Sequence, residues 1–158
     1  MGLLIQERKT FVRIFAGVAI AFAVFVSSTP VYAATVLITQ EEAKLPPPKG
    51  AIAVDRRGIT RGPKIKVLDE SEPLHSPMHL QVMFESFGGA KIDLDSVKVT
   101  YLRTPNVDLT PRIRPFVQNA GIDIPDVELP VGEHMVRIDV KDSDGRIGST
   151  NFILKVAP

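Results

Sequence analysis

Polar and apolar residues alternate in short runs along the second half of the chain, and a period of two is the signature of strands with one buried face. Residues 64–67 put Ile65 and Val67 on one side. In residues 78–84 the pattern is cleaner, with Met78, Leu80, Val82 and Phe84 on one parity and His79 and Gln81 on the other. Residues 97–101 repeat it, and residues 107–109 read as a brief edge piece. Residues 122–124 and 127–129 read as one strand interrupted by Pro125, which lacks a backbone donor and therefore belongs at a sheet edge. Thr110-Pro111 predicts a single helical turn with Thr110 as its cap, stopped by Pro115. The closing unit runs through residues 134–140, a turn at Ser143-Asp144-Gly145-Arg146, and residues 151–156. Asp-Gly between alternating runs predicts a hairpin whose two central residues both take positive φ. Together these spacings predict an all-β antiparallel sandwich of about seven strands over residues 63–158.

The first residues follow a different pattern. Arg8, Lys9 and Arg13 precede an uncharged apolar run from Ile14 to Val26, which at 13 residues is shorter than the roughly 20 a spanning helix needs. Helix-breaking residues follow, then Val31-Tyr32-Ala33, whose small side chains suit a signal peptidase. Residues 1–33 are expected to be a signal peptide cut after Ala33, and the protein to be periplasmic or secreted, with membrane contact only through the leader before cleavage. No Cys follows the run, so a lipid-modified cysteine anchor is not expected. Loss of the leader removes three basic residues of 19 and one acidic residue of 18, leaving a net charge near −1 and no general attraction to nucleic acid. With no cysteine in the chain, burial alone must hold the domain together.

Residues 34–62 read as a flexible tether. Pro46, Pro47 and Pro48 stiffen one stretch into an extended segment, and the apolar patch Thr35-Val36-Leu37-Ile38 is expected to be a loose chain end. Lys49, Arg56, Arg57, Arg61, Lys64 and Lys66 against Asp55 make the tether basic, either as a solvated linker or as a holder of anionic lipid or acidic polymer.

The stretch Leu129-Pro130-Val131-Gly132-Glu133-His134-Met135-Val136-Arg137-Ile138-Asp139-Val140-Lys141-Asp142-Ser143-Asp144-Gly145-Arg146 resembles the closing hairpin of bacterial immunoglobulin-like domains of the fibronectin or cadherin kind. That resemblance implies an immunoglobulin-like sandwich, and a role in adhesion, carbohydrate binding or spacing. A pure spacer fits poorly, because the sequence shows nothing to space. His134 shares parity with Val136, Ile138 and Val140, so with Gly132 it reads as a structural corner, the ring turned inward and hydrogen-bonded to a loop.

Three chemistries compete with simple binding. His75, His79 and Met83 combine imidazole and thioether, which suit copper, although their parities do not obviously converge. Asp142 and Asp144, with Asp139 nearby, invite calcium, but a tight turn explains the same residues. No nucleophile elbow or paired carboxylates across a cleft are apparent, and with Tyr101 the one tyrosine beyond the leader and no tryptophan, a large sugar platform is not expected. Met83, Leu102 and Ile153 are apolar at outward parity and together would make a partner patch. The expectation is an exported, non-catalytic binding module without cofactor that engages an envelope protein or itself, with a copper-binding protein and a carbohydrate-binding module as alternatives.

Overall fold

The computed structural model describes residues 34–48, 62–68 and 73–158. The expected signal peptide and the second half of the expected tether lie outside the described residues. Among those described, nine strands form two sheets that enclose one core: β1 (Thr35–Val36), β2 (Lys64–Val67), β3 (Met78–Glu85), β4 (Ile92–Tyr101), β5 (Val107–Asp108), β6 (Val117–Gln118), β7 (Gly121–Glu128), β8 (Gly132–Asp142) and β9 (Ile147–Val156). One sheet has the order β1-β7-β3-β2, with β6 also on β7, and the other has the order β5-β4-β8-β9. The architecture is a β-sandwich. Three of the strands are two-residue edge pieces, which is why the count exceeds seven.

Alternation explains the long strands. On β3 the even residues Met78, Leu80, Val82 and Phe84 are buried while His79 and Met83 are exposed, and on β8 His134, Val136, Ile138 and Val140 face inward. These rows meet Val97, Val99 and Tyr101 of β4 and Phe152, Leu154 and Val156 of β9 in one cluster. Each such side chain contributes roughly 2 kcal/mol by leaving water. Pro125 falls where the β3–β7 register shifts, between the pairs Met78↔Val127 and Leu80↔Ile124, so its missing donor sits at an irregularity in the ladder.

The tether reading fails for its first half. Thr35 and Val36 pair in parallel with Val127 and Glu128, and Leu37 and Ile38, each 1% exposed, fill the core. The chain then turns into α1 (Gln40–Ala43), where Thr39 and Glu42 form a reciprocal capping box. Arg112, on the turn α2 (Thr110–Ile113), donates from Nη1 and Nη2 to the two Glu42 oxygens, both at 2.7 Å, and from Nη1 to the Leu37 carbonyl at 2.7 Å. Thr104 donates to the carbonyls of Pro46 and Pro47, so the proline run lies along the domain instead of projecting from it. A chain end is loose only when nothing ties it down, and here two apolar side chains and an arginine fork do so.

Two turns also differ from expectation. Gly145 donates to the Asp142 carbonyl and Asp142 to the Arg146 carbonyl, which closes a three-residue loop with left-handed Gly145 (φ +77°), not a two-residue turn. Thr110 does not cap α2; its hydroxyl accepts from the Val99 amide, and Asp108 accepts from the Thr110 amide instead. At the chain's entry, Gly62 and Gly148 allow backbone contact that a side chain would block: a Cβ on Gly62 would lie 2.1 Å from the Ile147 carbonyl oxygen. No described helix is long and apolar enough to cross a membrane.

Candidate functional site

The outer face of the β5-β4-β8-β9 sheet gathers lysine, arginine, aspartate, serine and threonine side chains from neighbouring strands. Because Thr100 pairs with Arg137, Lys98 with Asp139, and Asp139 with Ser149, residues from three strands stand in one row of neighbours. Arg137 donates to both carboxylate oxygens of Asp139 at 2.8–3.0 Å, and the Ser149 hydroxyl donates to the same carboxylate at 2.5 Å. Burial works to raise the Asp139 pKa, but the Arg137 and Ser149 bonds and the nearby Lys98 charge outweigh it and hold the carboxyl below its ordinary value. Asp108, at the edge, is likewise lowered, by its bonds to the Thr110 hydroxyl and amide. A groove of about 360 Å³ runs between these groups, lined by Lys98, Thr100, Leu102, Asn106, Asp108, Arg137 and Asp139.

An apolar row borders this groove. Tyr101 pairs with Val136, and the Leu102 amide continues the ladder to the Met135 carbonyl at 2.9 Å, which sets Leu102 beside Met135; Met135 in turn pairs with Ile153. Leu102 and Ile153, both expected in the partner patch, therefore flank Met135, which sequence reasoning missed. Its outward parity on β8 was the available signal. The expectation needs two corrections. Leu102, the first residue of the β4–β5 connection and part of the groove lining, is only 8% exposed, and Met83 is on β3 in the other sheet, so it cannot join the row.

His79 and Met83 point the same way from β3 but stand four residues, or about 13 Å, apart along the strand. His79 Nε2 lies 2.5 Å from an Asp123 oxygen, and His75 is exposed in the segment before β3. These three do not converge on one point. In the turn weighed as a calcium loop, Arg146 donates to Asp142 at 2.8 Å and to Asp144 at 2.7 Å, so a guanidinium stands where a cation would. No group of three or more His, Cys, Asp or Glu residues suited to a metal occurs among the described residues.

Gly132 opens β8 at φ +130°, a conformation that favours glycine, and His134 two residues on is 1% exposed. Its Nε2 lies 2.7 Å from the Pro130 carbonyl oxygen, which can only accept, so Nε2 carries the proton. Nδ1 is then the acceptor for the Tyr101 hydroxyl at 3.0 Å, and that hydroxyl accepts from Arg103 Nε at 2.7 Å. Burial, and after it the Arg103 charge, push the His134 pKa below its ordinary value against the opposing pull of the Pro130 carbonyl. The arrangement fixes a corner and leaves no ring nitrogen for catalysis.

No family model, curated protein or solved structure matches the chain.

Proposed function

We propose that this protein is an exported, non-catalytic binding module of the cell envelope, built as an immunoglobulin-like sandwich, that engages a protein partner through the outer face of its β5-β4-β8-β9 sheet. Support for the immunoglobulin-like reading comes from the distribution of the long strands, with β2, β3 and β7 in one sheet and β4, β8 and β9 in the other. In that kind of fold the first, second and fifth lettered strands oppose the third, sixth and seventh. The parallel bridge between Leu74 and the last strand at Val156 adds to it.

The observation that carries the binding reading is the half-buried pair Met135 and Ile153, backed by the buried Leu102 and set beside the Lys98, Arg137 and Asp139 cluster. An apolar strip next to orientable charges is the composition of a protein interface, with burial for affinity and polar groups for register. The groove is lined by no aromatic ring, which disfavours the sugar-binding alternative.

A photo-crosslinking residue placed at Ile153 is expected to yield a discrete adduct in cells, while the same residue at Gln81, on the other sheet, yields none. Met135→Asp with Ile153→Asp is expected to weaken capture of that partner by more than about tenfold with folding retained by circular dichroism. Equal adducts from both positions, or none from Ile153, would remove the reading. An adduct at twice the chain mass would identify the partner as a second copy.

A further inference from the structure

The end of the sandwich at which β8 turns into β9 holds a second surface, separate from the outer-face groove. Phe87, in the β3–β4 connection, is 38% exposed, and Ile147, the first residue of β9, is 53% exposed. Arg146 donates from Nη2 to the Phe87 carbonyl at 3.1 Å, which ties the two connections together. The Ile147 carbonyl faces Gly62, and Lys64, two residues further on, holds its ammonium 5.0 Å from the Phe87 ring centre. Gly88 and Gly89, with φ +68° and +78°, make the tip of this connection and present no side chain beyond Phe87.

The charges around the pair are slightly positive: Lys64, Lys66, Lys91 and Arg146 stand against Glu85, Asp142 and Asp144. Glu85 is held by Lys66, and Asp142 and Asp144 are both held by Arg146. Asp93, farther along β4, lies opposite Lys141 in the ladder. Lys64 lies opposite Glu85 in the ladder and helps Lys66 hold that carboxyl below its ordinary value, Lys91 forms no ion pair among the described residues, and Arg56, Arg57 and Arg61 precede Gly62 in the sequence. An exposed aromatic side chain in the β3–β4 connection and an exposed aliphatic one at the start of β9, with Lys64 and Lys91 in the same region, match the two requirements of an anionic bilayer surface: apolar groups for the acyl boundary and cations for the headgroups.

We infer that this end of the domain docks on an anionic phospholipid surface, with Phe87 and Ile147 entering the interface and Lys64 and Lys91 on the headgroups. Membrane contact then extends beyond the leader. The inference does not depend on the protein partner proposed for the outer face, since the two surfaces share no residue.

The chain contains no tryptophan, so Phe87→Trp makes a single-site reporter of the tip in an otherwise unchanged protein. The protein as recovered from cells, with and without this change, is mixed with vesicles of phosphatidylcholine alone or of phosphatidylcholine with phosphatidylglycerol. Expected are co-sedimentation with the anionic vesicles only, a blue shift of the Trp emission on binding, and quenching by brominated acyl chains. Lys64→Gln and Lys91→Gln are each expected to lower partitioning about fivefold, with the loss reproduced by raised salt. Phe87→Ser with Ile147→Ser, both at exposed positions, is expected to lower it by more than about tenfold through lost apolar burial. Binding without any Trp shift would assign the contact to the basic residues upstream and overturn the role of the tip. Equal binding to both vesicle types, or none to either, would overturn the inference outright.

Discussion

Strand β8 carries a buried polar side chain at each end, and opposite means keep the two in place. His134, at the start, is held as a neutral ring: the Pro130 carbonyl accepts from its Nε2–H, the Tyr101 hydroxyl donates to its Nδ1, and burial pushes its pKa down. Asp142, at the finish, is held as an anion. Burial works to raise its pKa, but the Arg146 amide and guanidinium and the Asp144 amide outweigh that and lower it. The neutral group can dispense with a countercharge; the charged one needs a guanidinium and two amides. Burial alone therefore says little about a polar side chain until the donors and acceptors around it are counted.

Replacing His134 with Ala gives the largest expected effect. The Pro130 carbonyl and the Tyr101 hydroxyl each lose a buried partner and a cavity opens, for a loss of about 3 kcal/mol in urea unfolding. A loss near zero would mean that water substitutes for the ring, and the contrast with Asp142 would collapse.

A smaller effect, in pH, separates the two ends. The His134 pKa is lower in the folded chain than the ordinary 6.5, so the unfolded chain takes up the proton first as pH falls. Stability from the neutral ring is fully present above 6.5 and declines as pH drops through the folded value. A proton on Nδ1 would aim a donor at the Tyr101 oxygen, which already receives Arg103, and would add a charge beside that guanidinium. Unfolding measured from about pH 7 to about pH 5 is expected to show this decline in the native chain and a flatter profile in His134→Gln. Parallel profiles would assign the decline elsewhere. Asp142 does not enter that window, because its ordinary value of 3.8 is lowered further on folding.

Asp142→Asn is expected to give the smallest effect near neutral pH. The amide oxygen still accepts from the Asp144 and Arg146 backbone, so the loop keeps its shape while the pairing with Arg146 weakens. The native chain's advantage over the variant should then shrink as pH falls below 3.8, where the carboxylate is progressively protonated. A variant as stable as the native chain at neutral pH would show that the backbone acceptor alone holds this end.

Much of the sandwich was legible because alternation is local: the parity of residues 78–84 and 134–140 already sorted inward from outward side chains, His134 included. The three-residue loop at Gly145 was less so, since Asp-Gly serves more than one hairpin and only the register of β8 on β9 selects between them. The arm at Thr35–Ile38 was misread for a different reason. Its partners, Val127, Glu128 and Arg112, lie more than seventy residues away, and a short apolar run carries no sign of where it will pair.

The candidate site divides in the same way. Outward parity singled out Leu102 and Ile153, but whether two such residues are neighbours depends on strand order and register, which also supplied Met135 and excluded Met83. By itself the sequence determined which faces of the strands are apolar, where the turns fall and that no disulfide staples the core. Only the tertiary structure decided which outward residues share a sheet, that the first residues of the arm belong to the core, and how each buried polar group is satisfied. Parity follows from the two-residue repeat of an extended backbone, whereas adjacency between strands is a long-range choice set by the packing of the whole domain.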